Sequence, residues 1–261
     1  MQESTQSVAI VIGAYRFADF VQLCIRGARS VFGPDTEILV SDDHSFNTGR
    51  IEEVADREGC SFITSGRRRS HCSGDWQAFI NGCHWAKGGS ADIVIKLSQR
   101  FIPLKGEFKS AILNPFSDPN VAIVHPAKMH RRHLARPGIG VYSHFEVLTD
   151  CFAWRNGEVD PQMLKDVYTA RAHKTEIQYT ATVPEFCWEE IISTHFKGRS
   201  VGVDELSNPP IGPDKNYLRK ASATHGEYLR AARELGVHGE FDLREWKDIE
   251  GKQYLCRPIV H

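Results

Sequence analysis

The feature that most constrains the fold is a regular alternation of short apolar runs with amphipathic segments. The run SVAIVI ends at Gly13, and similar runs rich in β-branched residues follow as TEILV, CSFIT, ADIVIKL and VAIVH. Runs of this length that are apolar on both faces are typical of strands in a parallel sheet covered on both sides. The alternation therefore predicts an α/β fold with a mostly parallel sheet flanked by helices.

Segments with helical spacing separate these runs. Apolar residues recur at helical intervals from Phe17 to Val31. Further helices are predicted for NTGRIEEVADREG, for the stretch from Gly74 to Lys87, and for FKSAILNPF. Each helix follows a strand after a short connection, which is the pattern of repeated βαβ units.

The alternation ends near residue 126. Residues 126–150 are basic, contain Pro and Gly, and are expected to form a loop. A strand is predicted for DCFAW, and helices for DPQMLKDVYTARA and EFCWEEIISTHFK. NPPIGPDKN at 208–216 precedes a charged helix that is expected to begin at Tyr217. We therefore expect one domain over residues 1–207 and a C-terminal helical extension, 208–261, packed on it.

Composition narrows the classes of function. The chain has 32 basic and 33 acidic side chains, so its near-neutral charge gives no global attraction to nucleic acid. Seven cysteines without a C-x-x-C pair favour reduced thiols in a cytoplasmic protein over disulfides or zinc. The start MQESTQ lacks a signal-peptide pattern, and no apolar run approaches the ~20 residues of a membrane helix. The sequence leaves open whether the protein attaches to the surface of a membrane.

Ligands of open parallel sheets bind at the carboxyl ends of the strands. The first strand ends in GAYRF, where Gly13 stands alone and a dinucleotide fingerprint would need three glycines. The second ends in SDDHS, which places Asp42 and Asp43 at a strand-to-loop junction. Carboxylates there accept hydrogen bonds from a base or a ribose, although a capped turn would use the same residues.

The stretch VAIVIGAYRFADFVQLCIRGARSVFGPDTEILVSDDHS resembles the opening of family 2 glycosyltransferases with the GT-A fold. The likeness extends over about residues 7 to 103. Tyr15 and Arg16 match the turn after the first strand, and SDDHS matches the D-D-x-S end of the second. The resemblance implies a GT-A-like fold and a nucleotide-sugar donor. The residues it places at the nucleotide are Ala14, Tyr15, Arg16, Asp42 and Asp43, with Asp43 holding the base.

The chain departs from this family where the D-x-D motif would bind Mg²⁺ or Mn²⁺. The corresponding positions after ADIVIKL are Ser98, Gln99 and Arg100. Hard cations prefer carboxylate ligands, whereas a guanidinium carries its own charge and fits phosphate oxygens. We therefore predict no metal, with Arg100 replacing the cation at the diphosphate. A decayed site or a shifted register is the alternative, and Mg²⁺ or Mn²⁺ is left open as a cofactor.

The basic stretch GRRRSH follows the third strand and supplies Arg69 and His71, which join Arg100 and Gln99 as predicted diphosphate contacts, although basic loops are often merely solvated. Asp75 stands at a predicted helix start and is expected to cap that helix or to meet the donor sugar, as is Ser98 for the sugar. An inverting transfer also needs a carboxylate that deprotonates the acceptor hydroxyl. In the family this base belongs to an acidic pair late in the domain. The matching stretch PEFCWEEIISTHFKG offers Glu185, Glu189 and Glu190, with Trp188 available to stack on an acceptor sugar.

The sequence thus predicts a glycosyltransferase, inverting and metal-independent, that takes sugar from a nucleotide-sugar donor. The acceptor would be a glycan, a lipid-linked intermediate or a protein. Two other classes stay open: a catalytically silent relative that binds a nucleotide sugar or a partner protein, and a nucleotidyltransferase on a related sheet.

Overall fold

The computed structural model describes residues 6–68, 71–127, 129–133, 142–146, 150–163, 166, 196–207, 214–219 and 223–239. Its strands are β1 (Val8–Ala14), β2 (Glu37–Asp42), β3 (Ser61–Thr64), β4 (Ile93–Ser98), β5 (Ile102–Pro103), β6 (Ile123–Pro126), β7 (Met129–His133), β8 (Tyr142–Glu146), β9 (Cys151–Arg155), β10 (Ser200–Val203) and β11 (Tyr217–Leu218). Its helices are α1 (Ala18–Phe32), α2 (Thr48–Arg57), α3 (His71–Ala86), α4 (Gly106–Leu113), α5 (Asp204–Ser207) and α6 (His225–Glu234), with a 3-10 turn at Asn114–Ser117.

The central sheet has seven strands in the order β10-β6-β9-β4-β1-β2-β3. β1 pairs in parallel with both β2 and β4, and the pairs β2–β3 and β10–β6 are also parallel. β9 runs antiparallel to its neighbours β4 and β6. The predicted α/β fold with a mostly parallel sheet flanked by helices is confirmed.

The order of the strands reverses between β1 and β4, and in an open α/β sheet such a reversal defines the ligand-binding crevice. From β1 the chain adds β2 and β3 on one side, then returns to place β4 on the other side. Gly13 and Ser98 are paired where these two strands end. A reversal of this kind leaves a gap between the connections at the carboxyl edge, which is where open α/β sheets bind ligands.

Both faces of the sheet are covered. Successive side chains of a strand point to opposite faces, and those of β1 enter two different apolar clusters. Ile10 and Ile12 of β1 belong to the cluster that contains Leu23 of α1. Val11 belongs to the opposite cluster, with Phe79 of α3. These residues are at most 1% exposed, so the apolar runs of the sequence are explained by burial on two sides.

The segment 126–150 was expected to be a loop, and this is wrong for the part that the structure describes. β7 and β8 pair antiparallel from Met129 opposite Glu146 to His133 opposite Tyr142. Their sequences, MHRRH and YSHFE, lack the apolar run by which the other strands are recognised. Two later helices were predicted, DPQMLKDVYTARA at 160–172 and EFCWEEIISTHFK at 185–197. Most of both lies outside the described residues, which omit 164–165 and 167–195.

The C-terminal helix begins later than predicted. Tyr217 and Leu218 form β11, which pairs antiparallel with β5, and the helix starts at His225. Thr224 and Glu227 form a capping box there: Thr224 Oγ1 accepts from Glu227 N at 3.3 Å, and Glu227 accepts from Thr224 N at 2.7 Å. A cap of this kind fixes the first turn of a helix. The division at residue 207 stays a prediction, since 240–261 lie outside the described part.

Two further observations concern the whole described chain. None of its helices combines the length and the apolar character that crossing a bilayer requires. Cys24, Cys60, Cys83 and Cys151 are free thiols, which agrees with the expectation for these four residues.

Candidate functional site

The ends of β1, β2 and β4 are joined into one edge by hydrogen bonds between their turns. Gln99 pairs with the backbone of Tyr15, its Oε1 accepting from Tyr15 N at 2.9 Å and its Nε2 donating to Tyr15 O at 2.7 Å. Arg16 N donates to Ser45 Oγ at 2.8 Å. Three motifs that are distant in sequence therefore form one continuous surface.

Asp42 is the internal anchor of this edge. Its side chain is fully buried, and Oδ2 accepts from Ser45 N, Thr48 Oγ1 and Thr64 Oγ1 at 2.9, 2.8 and 3.1 Å. Ser45 Oγ donates to Oδ1. A carboxylate with its oxygens filled in this way holds a turn together and presents no surface to a ligand. The expected contact of Asp42 with a nucleotide is therefore not supported.

Two residues at this edge have left-handed backbone conformations. Arg16 has φ 69° and His44 has φ 53°, and they are the non-glycine residues with positive φ in the described chain. Asn47 Nδ2 donates to Arg16 O at 2.7 Å, and His44 Nδ1 lies 3.0 Å from Ser65 O. Such conformations cost about 1–2 kcal/mol each and concentrate at functional sites.

Aromatic rings and guanidinium groups alternate along the rim. The Arg16 guanidinium carbon lies 4.6 Å from the Tyr15 ring centroid and 5.4 Å from that of Phe46, while that of Arg68 lies 4.5 Å from Tyr15. Phe46 is 74% exposed. Such a surface can stack against a nucleobase and attract an anion. Sequence reasoning missed Phe46, although an aromatic residue in the polar turn SDDHSF is a usable signal.

Asp43 lies against the start of α3. Its backbone N donates to Ala14 O at 3.0 Å, and its side chain is nearly buried. A Cβ atom placed on Gly74 would lie only 2.6 Å from Asp43 Oδ2. The carboxylate can occupy this position because residue 74 has no side chain.

A buried ion pair closes the crevice between β1 and β4. Lys96 is fully buried and its ammonium contacts the carboxylate of Asp75, whose side chain is 11% exposed. Lys96 Nζ also donates to Ser98 Oγ at 3.1 Å, and Ser98 Oγ donates to Asp75 Oδ1 at 3.2 Å. The structure thus brings together the two predicted donor-sugar residues. It adds Lys96, which sequence reasoning missed even though a charge inside the apolar run IVIKL must have a partner.

The predicted diphosphate contacts are placed differently. The Gln99 amide is occupied by Tyr15. The Arg100 side chain is buried, with its guanidinium carbon 4.5 and 5.1 Å from the ring centroids of Phe17 and Phe20. Tyr228 Oη donates to Arg100 O at 2.8 Å, and burial raises the pKa of this phenol. Neither placement supports the expected contact with a diphosphate.

The three residues that the resemblance aligns with the D-x-D motif do not fit a divalent cation. Ser98 Oγ is bonded to an ammonium, the Gln99 carbonyl oxygen accepts from a backbone N–H, and residue 100 is itself a cation. Across the residues that the structure describes, no three His, Cys, Asp or Glu side chains are grouped closely enough to hold a metal.

Several predicted residues cannot be placed. Arg69 lies outside the described residues, as do Glu185, Trp188, Glu189 and Glu190. His71 begins α3, but its side chain is not described. The proposed base and acceptor contacts therefore stay predictions.

No protein-family model and no curated protein matches the sequence. Among solved structures, a mannosyltransferase from Pyrobaculum calidifontis in complex with GDP-Man and Mn²⁺ is similar, with a TM-score of 0.40 and 14% identity over 48% of this chain and 37% of that chain. Glucosyl-3-phosphoglycerate synthase from Mycobacterium tuberculosis, in complex with Mn²⁺, UDP and glucosyl-3-phosphoglycerate, gives 0.37 and 17% over 48% and 44%. The aligned regions thus span less than half of both enzymes.

A third similar structure is CMP:2-keto-3-deoxy-manno-octonic acid synthetase complexed with CTP. Its TM-score is 0.47 with 14% identity, over 88% of this chain and all of that chain. Likenesses at these values carry no argument about ligand or activity. The fold rests on the order and direction of the strands, and the function must be argued from the site.

Proposed function

We propose that the protein is a transferase that binds a nucleotide sugar at the carboxyl edge of β1, β2 and β4 and transfers the sugar to a hydroxyl acceptor without a divalent cation. The observation that carries this proposal is the hydrogen-bonded union of the three strand ends. Around these strand ends lie the exposed ring of Phe46, the carboxylate of Asp43 and the bonded pair of Asp75 and Ser98, which supports the proposal.

The parts of this edge suit the parts of a nucleotide sugar. The exposed ring of Phe46 can stack against the base, beside the Tyr15 ring, which already stacks with the guanidinium groups of Arg16 and Arg68. Asp43 can accept hydrogen bonds from a base N–H, because an ionised carboxylate acts only as an acceptor. Across the crevice, Asp75 and Ser98 suit the hydroxyl groups of the donor sugar, because both offer oxygen acceptors at the switch point of the sheet.

The chemistry of transfer requires a base at the acceptor hydroxyl. We assign this role to the acidic residues of the stretch PEFCWEEIISTHFKG, with Glu189 or Glu190 favoured over Glu185, and acceptor stacking to Trp188. The attacking oxygen forms the new bond to the anomeric carbon as the bond from that carbon to the phosphate oxygen of the nucleotide breaks, and the nucleotide leaves with the bonding electron pair. The proton of the acceptor passes to the carboxylate.

Turnover assays test this function directly. The full chain is incubated in EDTA with UDP-, GDP-, dTDP- or CMP-linked sugars and with glycan, lipid-linked or protein acceptors, and transferred sugar is measured. The proposal expects transfer with at least one donor that survives chelation and is lost in Asp43→Asn. Synthesis of a nucleotide sugar from nucleoside triphosphate would instead identify a nucleotidyltransferase, and donor binding without transfer a silent relative. Either result would overturn the proposal.

A further inference from the structure

The residues at the D-x-D positions do not fit a divalent cation, and the structure offers a different source of positive charge. We propose that Lys96 is a built-in cation that excludes a metal ion from this crevice, and that it positions Asp75 for the hydroxyl groups of a sugar or ribose. This inference rests on the proposed function for the identity of the ligand. The exclusion of a cation by Lys96 is a separate property and is tested separately.

The burial of Lys96 is the first argument. Its side chain is 0% exposed, in the middle of a strand whose neighbours Ile95 and Leu97 are also fully buried. Removing an ammonium from water is costly, and an apolar side chain of similar volume commonly packs in such a position without loss of stability. A purely structural role therefore does not explain a lysine at this position.

The position of the pair is the second argument. Lys96 bonds both Asp75 and Ser98, and Ser98 is the first residue at the D-x-D positions. A Cβ atom on Gly13, which pairs with Ser98 at the end of β1, would lie 3.5 Å from both Asp75 Oδ1 and Lys96 Cε. The ammonium thus lies beside the paired ends of β1 and β4, at the switch point of the sheet.

The balance of charge is the third argument. Two carboxylates and a divalent cation sum to zero, and so do Asp75 and Lys96. An ammonium beside the carboxylate also repels any cation that approaches the carboxylate. The repulsion is strong because the pair is buried, where the dielectric constant is lower than in water. The pair of Asp75 and Lys96 therefore carries no net charge.

The same geometry defines what Asp75 can bind. Its Oδ1 is bonded to Lys96 and Ser98, and the side chain retains 11% exposure. Held in this orientation, the carboxylate accepts hydrogen bonds from hydroxyl groups. Lys96 itself is enclosed, so it acts as a positioning residue through Asp75 and Ser98.

The test uses Mn²⁺ alone as the probe, with binding followed by electron paramagnetic resonance on the full chain. Ser98→Asp restores a carboxylate at the first motif position while retaining Lys96, and a second variant combines Ser98→Asp with Lys96→Met. We expect the double variant to bind Mn²⁺ at least about tenfold more tightly than Ser98→Asp, because the repelling ammonium is gone. Equal affinity in the two variants would overturn the proposal.

Lys96→Gln combined with Ser98→Asp provides the same comparison if Lys96→Met does not fold, as judged by circular dichroism. Val94→Ala combined with Ser98→Asp is the matched control, since Val94 is buried in the same strand but bonds neither Asp75 nor Ser98. This control should bind Mn²⁺ no more tightly than Ser98→Asp alone. A higher Mn²⁺ affinity in the control would show that loosened packing causes the effect, and the proposal would be overturned.

Donor binding separates this inference from the proposed function. In EDTA, Lys96→Met should weaken binding of the nucleotide sugar at least about tenfold relative to the unsubstituted chain. Unchanged donor affinity in Lys96→Met would refute the positioning role. The unsubstituted chain could bind no nucleotide sugar although the double variant binds Mn²⁺ more tightly than Ser98→Asp. In that case the proposed function would be wrong, and the exclusion of a metal by Lys96 would be supported.

Discussion

The side-chain amide of Gln99 pairs with the backbone of Tyr15 as one strand pairs with another. Tyr15 N donates to Gln99 Oε1 at 2.9 Å, and Gln99 Nε2 donates to Tyr15 O at 2.7 Å. Gln99 itself is 8% exposed. This contact ties the end of β4 to the turn after β1, so the shape of the crevice depends on it.

Replacing Gln99 with Ala should therefore destabilise the protein and loosen the Tyr15 turn. Two backbone groups of Tyr15 would lose their partners, at a cost of about 1–3 kcal/mol in the free energy of unfolding. Urea unfolding measures the change. Gln162→Ala is the control, because that glutamine bonds Asp166 on the surface and its loss should cost less than about 0.5 kcal/mol. Equal effects of the two substitutions would show that the Gln99 contact is unimportant.

The neighbouring aspartates of SDDHS should differ in what they do. Asp42→Asn places an amide against four donors and should lower the free energy of unfolding by about 3 kcal/mol. Asp43→Asn should abolish binding of the nucleotide. Urea unfolding and donor titration on both variants separate the roles. A donor affinity that survives Asp43→Asn would remove Asp43 from the site.

Gly74→Ala should impair the site while the fold persists. The added Cβ would meet Asp43 Oδ2 at 2.6 Å and force the carboxylate to move. A displacement of this size should reduce donor affinity at least about tenfold, as titration calorimetry can measure. Gly49→Ala is the matched control, since nothing lies within 4 Å of its Cβ and the residue is in helix α2. It should leave affinity unchanged and raise stability by up to about 1 kcal/mol.

Stability should fall in alkaline solution because thiols are buried. Burial raises the pKa of Cys60 to about 11, and the pKa values of Cys24, Cys83 and Cys151 also lie well above the usual range for the same reason. Above the pKa of an unfolded thiol, near 8.5, the unfolded chain releases protons that the folded chain retains, so stability decreases as the pH rises. Urea unfolding in reducing buffer at about pH 8 and about pH 10 should show the decrease, and Cys60→Ala should make it smaller. An identical pH dependence in that variant would contradict the assignment to Cys60.

The fold could be predicted largely from the sequence because its strands are buried on both faces. Runs such as SVAIVI and TEILV have no other stable environment, and the intervening helices have one apolar face. The hairpin of β7 and β8 was missed because MHRRH shows no such run, and the start of α6 was misplaced because Tyr217 and Leu218 pair with a short strand from a distant segment.

The sequence predicted where the site lies but not the direction in which its side chains point. The strand-end rule brought Tyr15, Asp43 and Ser98 to one edge, as the structure has them, and Asp75 was added to it from the start of a helix. It gave no information on side-chain direction, so Asp42 was assigned to a ligand although it faces the interior. Arg100 was likewise interpreted as a ligand contact, whereas the rings of Phe17 and Phe20 cover it. Such choices depend on packing between segments that no local pattern encodes.

The measurement that tests the central claim most directly is thermal unfolding of the full chain with UDP-, GDP-, dTDP- and CMP-linked sugars in EDTA. A ligand that binds the folded state at about a hundredfold excess over its Kd should raise Tm by about 5 °C or more. The account predicts such a shift with at least one donor in the unsubstituted chain and none with the same donor in Asp43→Asn. Absence of a shift with every donor, or an equal shift in Asp43→Asn, would contradict it.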